Sequence, residues 1–287
     1  MHDTCLICNH RRLDPLKGYE KHHLVRCNSC SFVFSQAIPS SEELEKCYQG
    51  YGRNDYLSPI TIKRYHELLD KMEPFRKTNK ILDVGCGIGY FLEVAKERGW
   101  EIYGTEFTDK AVDICERKGI KMQKGVLAVD NYKAEEFDVI TSFEVIEHIN
   151  NPIEELNHFY QLLRKGGLVY VTTPNFNSVL RYRLKENYNV IAYPEHLSYY
   201  TPKTIKKVFE TTGFQTKKIQ STGISLSRLK SSKGKSNEAP ISEHSTDEHL
   251  RNQAENKWYM KAAKNVVNST LTLTGKGDSL KGWFIKK

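Results

Sequence analysis

Residues 82–91 read LDVGCGIGYF: an apolar strand end, then Gly85, Gly87 and Gly89 at alternate positions, then the start of a helical pattern. Glycines placed between a hydrophobic strand and a helix let the backbone approach a bound ligand closely. The spacing is G-x-G-x-G, not the G-x-G-x-x-G of the dinucleotide fingerprint. No Lys-Ser or Lys-Thr pair follows, which excludes a phosphate-binding P-loop. Asp83, before the first glycine, is more than a nucleotide loop needs. Asp83, Gly85, Cys86, Gly87 and Gly89 are the first candidates for cofactor contact, with Cys86 as a small backbone-contacting residue and not a nucleophile.

Outward from this loop, strand and helix patterns alternate. KILDVG (80–85) is a buried strand and IGYFLEVAKERG (88–99) a helix ended by Gly99. EIYGTEF (101–107) is a second strand, DKAVDICERKG (109–119) a second helix, and IKMQKGV (120–126) a short third strand. FDVITSFE (137–144) is a fourth strand, PIEELNHFYQLLRKGG (152–167) a helix, and LVYVTTP (168–174) a fifth strand. PKTIKKVFETTGF (202–214) and QTKKIQSTGIS (215–225) add a helix and a sixth strand. This rhythm argues for an α/β fold with a doubly wound, mostly parallel sheet. Glu106 ends the second strand some 20 residues past the glycines, where a carboxylate accepts hydrogen bonds from the ribose of an adenosine group.

Residues 1–38 form a separate module. Cys5 and Cys8 make one C-x2-C pair, Cys27 and Cys30 another, with short strands around HHLVRC and SFVFS. A segment this small buries too little apolar surface to fold unaided. Four thiolates around one structural zinc ion supply the missing stabilisation, which identifies a zinc ribbon. A helical lead-in covers 39–76, with SSEELEKCYQG stopping at Gly50 and a longer helix from Pro59 to Phe75. The alternating α/β core is then 77–227. Residues 228–250, rich in Ser, Lys and Glu, read as a mobile loop or linker. Residues 251–287 hold a helical pattern and a final strand, DSLKGWFIKK.

Composition sets outer limits. Hydrophobic residues are 39% and charged residues 27% of the chain, which suits a soluble globular protein. No run approaches the roughly 18 apolar residues of a membrane helix, so membrane insertion is not expected. The N-terminus lacks an apolar signal-peptide core, and a cytoplasmic protein is the expectation. The net charge of +8 favours an anionic partner such as a nucleotide-linked or phosphorylated compound. The lysines are scattered, which argues against nucleic acid. Oligomeric state is not legible.

SFEVIEHI (142–149) sits in an apolar neighbourhood yet carries Glu144, Glu147 and His148. Buried groups of this kind are costly unless paired, hydrogen-bonded or bound to something. Their i, i+3, i+4 spacing puts all three on one face of a helical turn. His196, in YPEHLSYY, could close the set from a loop after the fifth strand. Three readings stand. Two carboxylates and two histidines hold a divalent ion, Mg or Mn, that acidifies a substrate hydroxyl. Alternatively His148 or His196 is a metal-free general base. In the third reading the Glu147–His148 pair is structural. Tyr182, Tyr188, Tyr193, Tyr199 and Tyr200 either flank an acceptor pocket or fill the core. Arg181 and Arg183 are candidate phosphate contacts.

The order D-V-G-C-G-I-G, then G-T-E, then FDVITSFEVIEHI, then LLRKGGLVYVTTPN resembles the class I S-adenosylmethionine-dependent methyltransferases, over roughly residues 75–226. The resemblance implies a Rossmann-like seven-stranded sheet with S-adenosylmethionine as cofactor. It implies that DSLKGWFIKK is an antiparallel seventh strand beside the sixth. It places Gly85, Cys86 and Gly87 at the methionine part of the donor, Glu106 at the ribose, Phe107 among the cofactor contacts, Gly125 and Val126 near adenine, and Phe143–Glu144 at the methionine end. The four-cysteine module and PEHLSYYTPKTIKKVFETTGF are similar to a branch common in bacterial sugar, polysaccharide and cell-envelope modification. That branch implies O-methylation of a small-molecule or glycan acceptor. The E-x-x-E-H plus distant histidine is similar to that of plant small-RNA 2′-O-methyltransferases and some quinone O-methyltransferases, which implies an RNA or quinone acceptor instead. A sugar C-methyltransferase and a non-catalytic binding protein complete the alternatives. The intact glycine loop and Glu106 speak against the last.

Overall fold

The computed structural model describes residues 1–48, 57–225 and 257–287. The linker expected at 228–250, the Gly50 stop and the first part of the helical pattern after 249 lie outside the described residues. The chain begins with three short antiparallel strands, β1 (Leu13–Pro15), β2 (Leu24–Cys27) and β3 (Val33–Ser35). Cys5–Cys8 forms one turn and Cys27–Cys30 the other. Helix α1 (Ser41–Tyr48) follows, then α2 (Pro59–Met72), whose Ser58 hydroxyl accepts from the Ile60 N–H at 3.2 Å with Pro59 at the first helical position.

The alternating segment then builds β4 (Lys80–Val84), α3 (Tyr90–Glu97), β5 (Glu101–Glu106), α4 (Asp109–Arg117), β6 (Lys121–Lys124) and β7 (Phe137–Phe143). It continues through α5 (Pro152–Leu162), β8 (Leu163–Pro174), α6 (Val179–Leu184), β9 (Ser198–Tyr199), α7 (Pro202–Thr211) and β10 (Phe214–Thr222). The chain ends with α8 (Trp258–Thr274) and β11 (Ser279–Lys286). Strand order in the main sheet is β10-β11-β8-β7-β4-β5-β6. The five strands from β8 to β6 run parallel, and β11 lies antiparallel to both of its neighbours. The strand order reverses beside β4, the crevice where open α/β sheets collect ligands.

Three features differ from the sequence reading. The helix expected over 152–167 stops at Leu162, and Leu163–Gly167 already belong to β8. Leu163 pairs with Phe137 across the sheet, and Arg164 is drawn to the fully buried Asp138. Both contacts are remote in sequence, so helical periodicity could not register them. The second difference is β9, which joins the N-terminal strands: Val33 pairs with Tyr199 and Phe34 with Ser198. Helix α6, begun by the Ser178 hydroxyl accepting from the Arg181 N–H at 3.1 Å, also had no forecast.

One apolar cluster fills the face of the sheet under α5 and α7 and continues without a break into Cys5, Ile7, Val25, Phe32 and Phe34. The opposite face packs Leu69 and Met72 of α2 and Phe91, Leu92 and Ala95 of α3 against Tyr170 and Trp283. Tyr188 and Tyr199 are buried in a third cluster with Phe176 and Leu180, and Tyr200 lies in the first. These three tyrosines are core residues. Tyr182 is half exposed and stacks under the Arg181 guanidinium, 3.8 Å from the ring centre. Among the described residues no helix is long and apolar enough to cross a membrane.

Candidate functional site

The glycine loop is shaped by contacts that exclude side chains. Gly85, Gly87 and Gly89 all have positive φ, of 72°, 55° and 81°. A Cβ on Gly85 would stand 2.5 Å from Val145 Cγ2, and one on Gly89 2.4 Å from Ile120 Cδ1, whereas Gly87 faces open space. Gly87 is thus the glycine where a ligand can approach the backbone. The loop is tied to the end of β5. Gly85 N and Cys86 N donate to the Thr105 carbonyl, and Gly87 N donates to Glu106 Oε2 at 3.0 Å. Glu106 Oε1 accepts from the Phe107 and Thr108 N–H groups at 2.8 and 3.2 Å. Three backbone donors therefore aim this half-buried carboxylate. Phe107 and Val126 flank it as exposed apolar side chains, 58% and 73% accessible, a pair of surfaces suited to a flat ring. Cys86 and Cys115 approach to 4.0 Å, and Cys115 donates to the Gly87 carbonyl.

Asp83 is buried at the end of β4 and accepts from Thr141 Oγ1 at 2.6 Å. Burial pushes its carboxyl up to about 7, against the Thr141 hydrogen bond, and the Glu106 charge adds to the rise. Phe143, at the end of β7, stands in an aromatic row with Phe91 at 5.0 Å, Tyr65 at 6.3 Å and Tyr170 at 5.7 Å.

SFEVIEHI leaves β7 as a tight turn and not as a helix, with His148 N donating to the Val145 carbonyl at 2.9 Å. Glu144 adopts the left-handed conformation, φ 55°, and is exposed. The expected four-group set is therefore corrected to three. Glu147, His148 and His196 bring ligand atoms within 4.8 Å of one another, and Glu144 is not part of that group. The helical spacing argument failed because the backbone reverses at Glu144. Glu147 is buried, with Oε2 accepting from Thr173 Oγ1 at 2.9 Å and its carbonyl accepting from Leu197 N and Ser198 N. His148 Nδ1 donates to the Glu195 carbonyl and His196 Nδ1 to the Val190 carbonyl, both at 2.7 Å. A carbonyl accepts only, so Nδ1 of each ring carries a proton, and the His148 ring also meets the Glu144 carbonyl. The rings pack edge to face with centroids 4.8 Å apart. Burial lowers the His148 pKa, with the Glu195 carbonyl opposing.

The second cluster is Cys5, Cys8, Cys27 and Cys30, whose sulfurs also lie within 4.8 Å of one another, with Cys5–Cys30 at 3.5 Å and Cys8–Cys27 at 3.6 Å. Sulfurs bound tetrahedrally at about 2.3 Å from a metal stand just under 4 Å apart, so the donor set fits zinc. Shared hydrogen bonding pushes the Cys5 thiol up and brings Cys30 down to about 5.

The two clusters are connected. Ser35 N donates to the Leu197 carbonyl at 2.8 Å, and β9 begins one residue later. His2 Nε2 and Asn150 Oδ1 are 2.6 Å apart, and the rings of His23 and Tyr193 are in contact. Thr141 and Thr173 escaped the sequence reading because a threonine in a strand carries no sign of what its hydroxyl meets. Arg181 donates to the Phe176 carbonyl and covers two rings, and Arg183 points to solvent.

A family model described as a methyltransferase domain matches residues 56–219. Among curated relatives, the ubiquinone biosynthesis O-methyltransferase of Roseobacter denitrificans is 30% identical over 157 residues, 53% of this chain and 60% of that protein. The enzyme of the same name from an Azoarcus species is 31% identical over 105 residues, 34% of this chain and 45% of that protein. The chain spans about half the length of the curated relatives it matches. Among solved structures, an S-adenosylmethionine-dependent methyltransferase from Archaeoglobus fulgidus superposes with a TM-score of 0.52 at 20% identity, covering 77% of this chain and 92% of that one. Phosphoethanolamine N-methyltransferase 2 of Haemonchus contortus, in complex with S-adenosyl-L-methionine, gives 0.53 at 17% identity, covering 88% and 61%. These two likenesses are of fold.

Proposed function

We propose, for a chain that belongs to the methyltransferase domain family by a match over more than half its length, transfer of a methyl group from S-adenosylmethionine to a hydroxyl oxygen of a quinone precursor. The observation that carries this is the packing of the glycine loop on the turn that holds the acid–histidine cluster: Gly85 meets Val145, two residues before Glu147. A donor seated on the one and an acceptor seated on the other would share one crevice. Oxygen as the methylated atom, and a quinone precursor as its bearer, are supported by the names of the curated relatives. The sugar or polysaccharide acceptor expected first from the sequence has no counterpart among those relatives. The quinone reading, second there, takes its place.

S-Adenosylmethionine supplies the methyl group on a sulfonium, so no acid is needed for the leaving group. The chain has to position the donor, orient the acceptor and take up one proton. Gly85, Cys86 and Gly87 line the methionine part, with Phe143 at its end. Glu106 accepts the ribose hydroxyls, and Phe107 and Val126 cover adenine. Asp83 and Gly89 shape the loop from beneath. Glu147, His148 and His196 fit a divalent cation, two imidazoles and a carboxylate being a common open-sided donor set. Such an ion, Mg or Mn, would acidify a coordinated hydroxyl. Without an ion, Nε2 of His148 or His196 takes the proton directly. The four cysteines would hold structural zinc.

Calorimetry with S-adenosylmethionine tests the donor site. Glu106→Ala should weaken binding about tenfold to a hundredfold, and an unchanged affinity refutes the ribose assignment. His196→Ala should cut turnover of a catechol acceptor by roughly a hundredfold or more under either proton-transfer route. Dialysis against EDTA followed by magnesium or manganese separates the routes, since turnover indifferent to both leaves the base reading.

A further inference from the structure

Lys281 of β11 is a cation placed where the described residues provide no counterion at hydrogen-bonding distance. It pairs with Thr172 across β11–β8, and Thr172 pairs with Phe143 across β8–β7. Cross-strand partners share a face, so Lys281, Thr172 and Phe143 stand in a row of about 10 Å, two strand spacings. That face is covered by α2. Trp283, two residues further along β11, packs with Leu69 and Met72, and Phe143 meets Tyr65. The Lys281 ammonium makes no side-chain hydrogen bond or ion pair with another described residue.

Its charged neighbours are mostly of its own sign. Arg64 and Lys71 of α2 and Lys264 of α8 repel it, and Glu144 opposes them more weakly. Arg64 and Lys71 are two turns apart on one side of α2. Lys264 lies one turn before Asn268, whose side-chain oxygen accepts from Gly223 N at 3.0 Å, which turns this stripe of α8 toward the end of β10. Burial and the three cations together hold the Lys281 ammonium below the usual lysine range. A desolvated ammonium such as that of Lys281 is costly unless an anion shares its space. These four come from three elements that meet only through folding, at the sheet end where Phe143 and Glu144 leave β7.

We propose that Lys281, with Arg64, Lys71 and Lys264, seats an anionic group of the acceptor, a carboxylate or a phosphate, one row away from the donor loop. The proposal rests on the methyl-transfer reading only in assigning the anion to an acceptor. An acceptor held at both ends, by its anion at Lys281 and its hydroxyl at the crevice, is oriented for in-line attack. Arginine and lysine suit both anions, so the chemistry of the seat leaves the two sources to experiment.

The test is calorimetric titration of the full chain, with and without S-adenosylhomocysteine, using 3,4-dihydroxybenzoate, phenyl phosphate and uncharged catechol. One anion should bind about tenfold to a hundredfold more tightly than catechol, and which one identifies the source. The gain should vanish in Lys281→Met and persist in part in Lys281→Arg. Neither anion gaining over catechol, or a gain that survives Lys281→Met, overturns the seat. Should Lys281→Met not fold, Arg64→Met and Lys264→Met carry the test, and an undiminished gain in both has the same force. Failure of the methyl-transfer reading shows separately, as absence of S-adenosylhomocysteine binding.

Discussion

Asp83 is an acid held in a place that favours its neutral form. Its carboxyl ionises near 3.8 in an unfolded chain and at about 7 in the fold, where burial outweighs the Thr141 hydrogen bond. Between those values the folded state binds the extra proton, so stability falls as pH rises from about 4 to 7 and levels off above, by about 1.4 kcal/mol per unit. Asp83→Asn removes this dependence. Urea denaturation at pH 5 and 7 should therefore show the wild type losing on the order of 2–3 kcal/mol relative to the variant. An equal difference at both values refutes the raised pKa. The identity of such residues was legible, because an acid before a glycine-rich turn in an apolar run must be explained by burial or by function. Their partners were not, since Thr141 and Asp83 are 58 positions apart. Glu144 shows the limit most clearly. Residues three and four apart are neighbours only if the backbone is helical, and one left-handed residue at Glu144 removes it from the group that its spacing suggested.

Among the elements, the core strands announced themselves through apolar runs and turn glycines, and the antiparallel place of β11 through the family resemblance. The two-residue β9 carried no such signal. It exists because Val33 and Phe34 offer it an edge and because Glu147 offers its carbonyl to Leu197 N and Ser198 N. The arm bearing His196 is thus clamped between β3 on one side and the Glu147 turn on the other. This gives the N-terminal module a task beyond its own folding: it braces a candidate catalytic histidine. Ser35→Pro deletes the N–H that Leu197 O accepts and interrupts the β3 edge. Turnover should fall at least about tenfold, the scale of a disturbed general base or ligand, while S-adenosylhomocysteine affinity by calorimetry stays within about twofold, since the glycine loop and Glu106 lie elsewhere. A parallel loss of both would show that the brace is not local.

At the scale of the whole molecule, the sequence divides more sharply than the fold does. A cysteine-rich segment of some 38 residues followed by an alternating α/β segment reads as two units. The apolar interior runs through both: Cys5, Ile7, Phe32 and Phe34 belong to the same cluster as Leu82, Phe159, Phe209 and Phe284. Phe32 lies against Tyr200 at 5.3 Å, and Tyr200 is continuous with the α7 side of the sheet. Composition and spacing are blind to such continuity, because it is made by side chains remote in sequence meeting across a shared face. A common core has a thermodynamic consequence. If zinc at the four cysteines stabilises only the N-terminal strands, chelation leaves the main transition in place and adds an earlier one. If the core is shared, loss of the metal unseats Phe32 and Phe34 from the large cluster, and the chain unfolds as one body at lower temperature. The shared core predicts a single calorimetric transition, displaced downward by roughly 10 °C or more after removal of zinc with a strong chelator. Cys27→Ser should reproduce that displacement without chelator, and its transition should no longer respond to chelator at all. Two resolved transitions, with the upper one unmoved, would assign the cysteine cluster a stability of its own, independent of the large sheet.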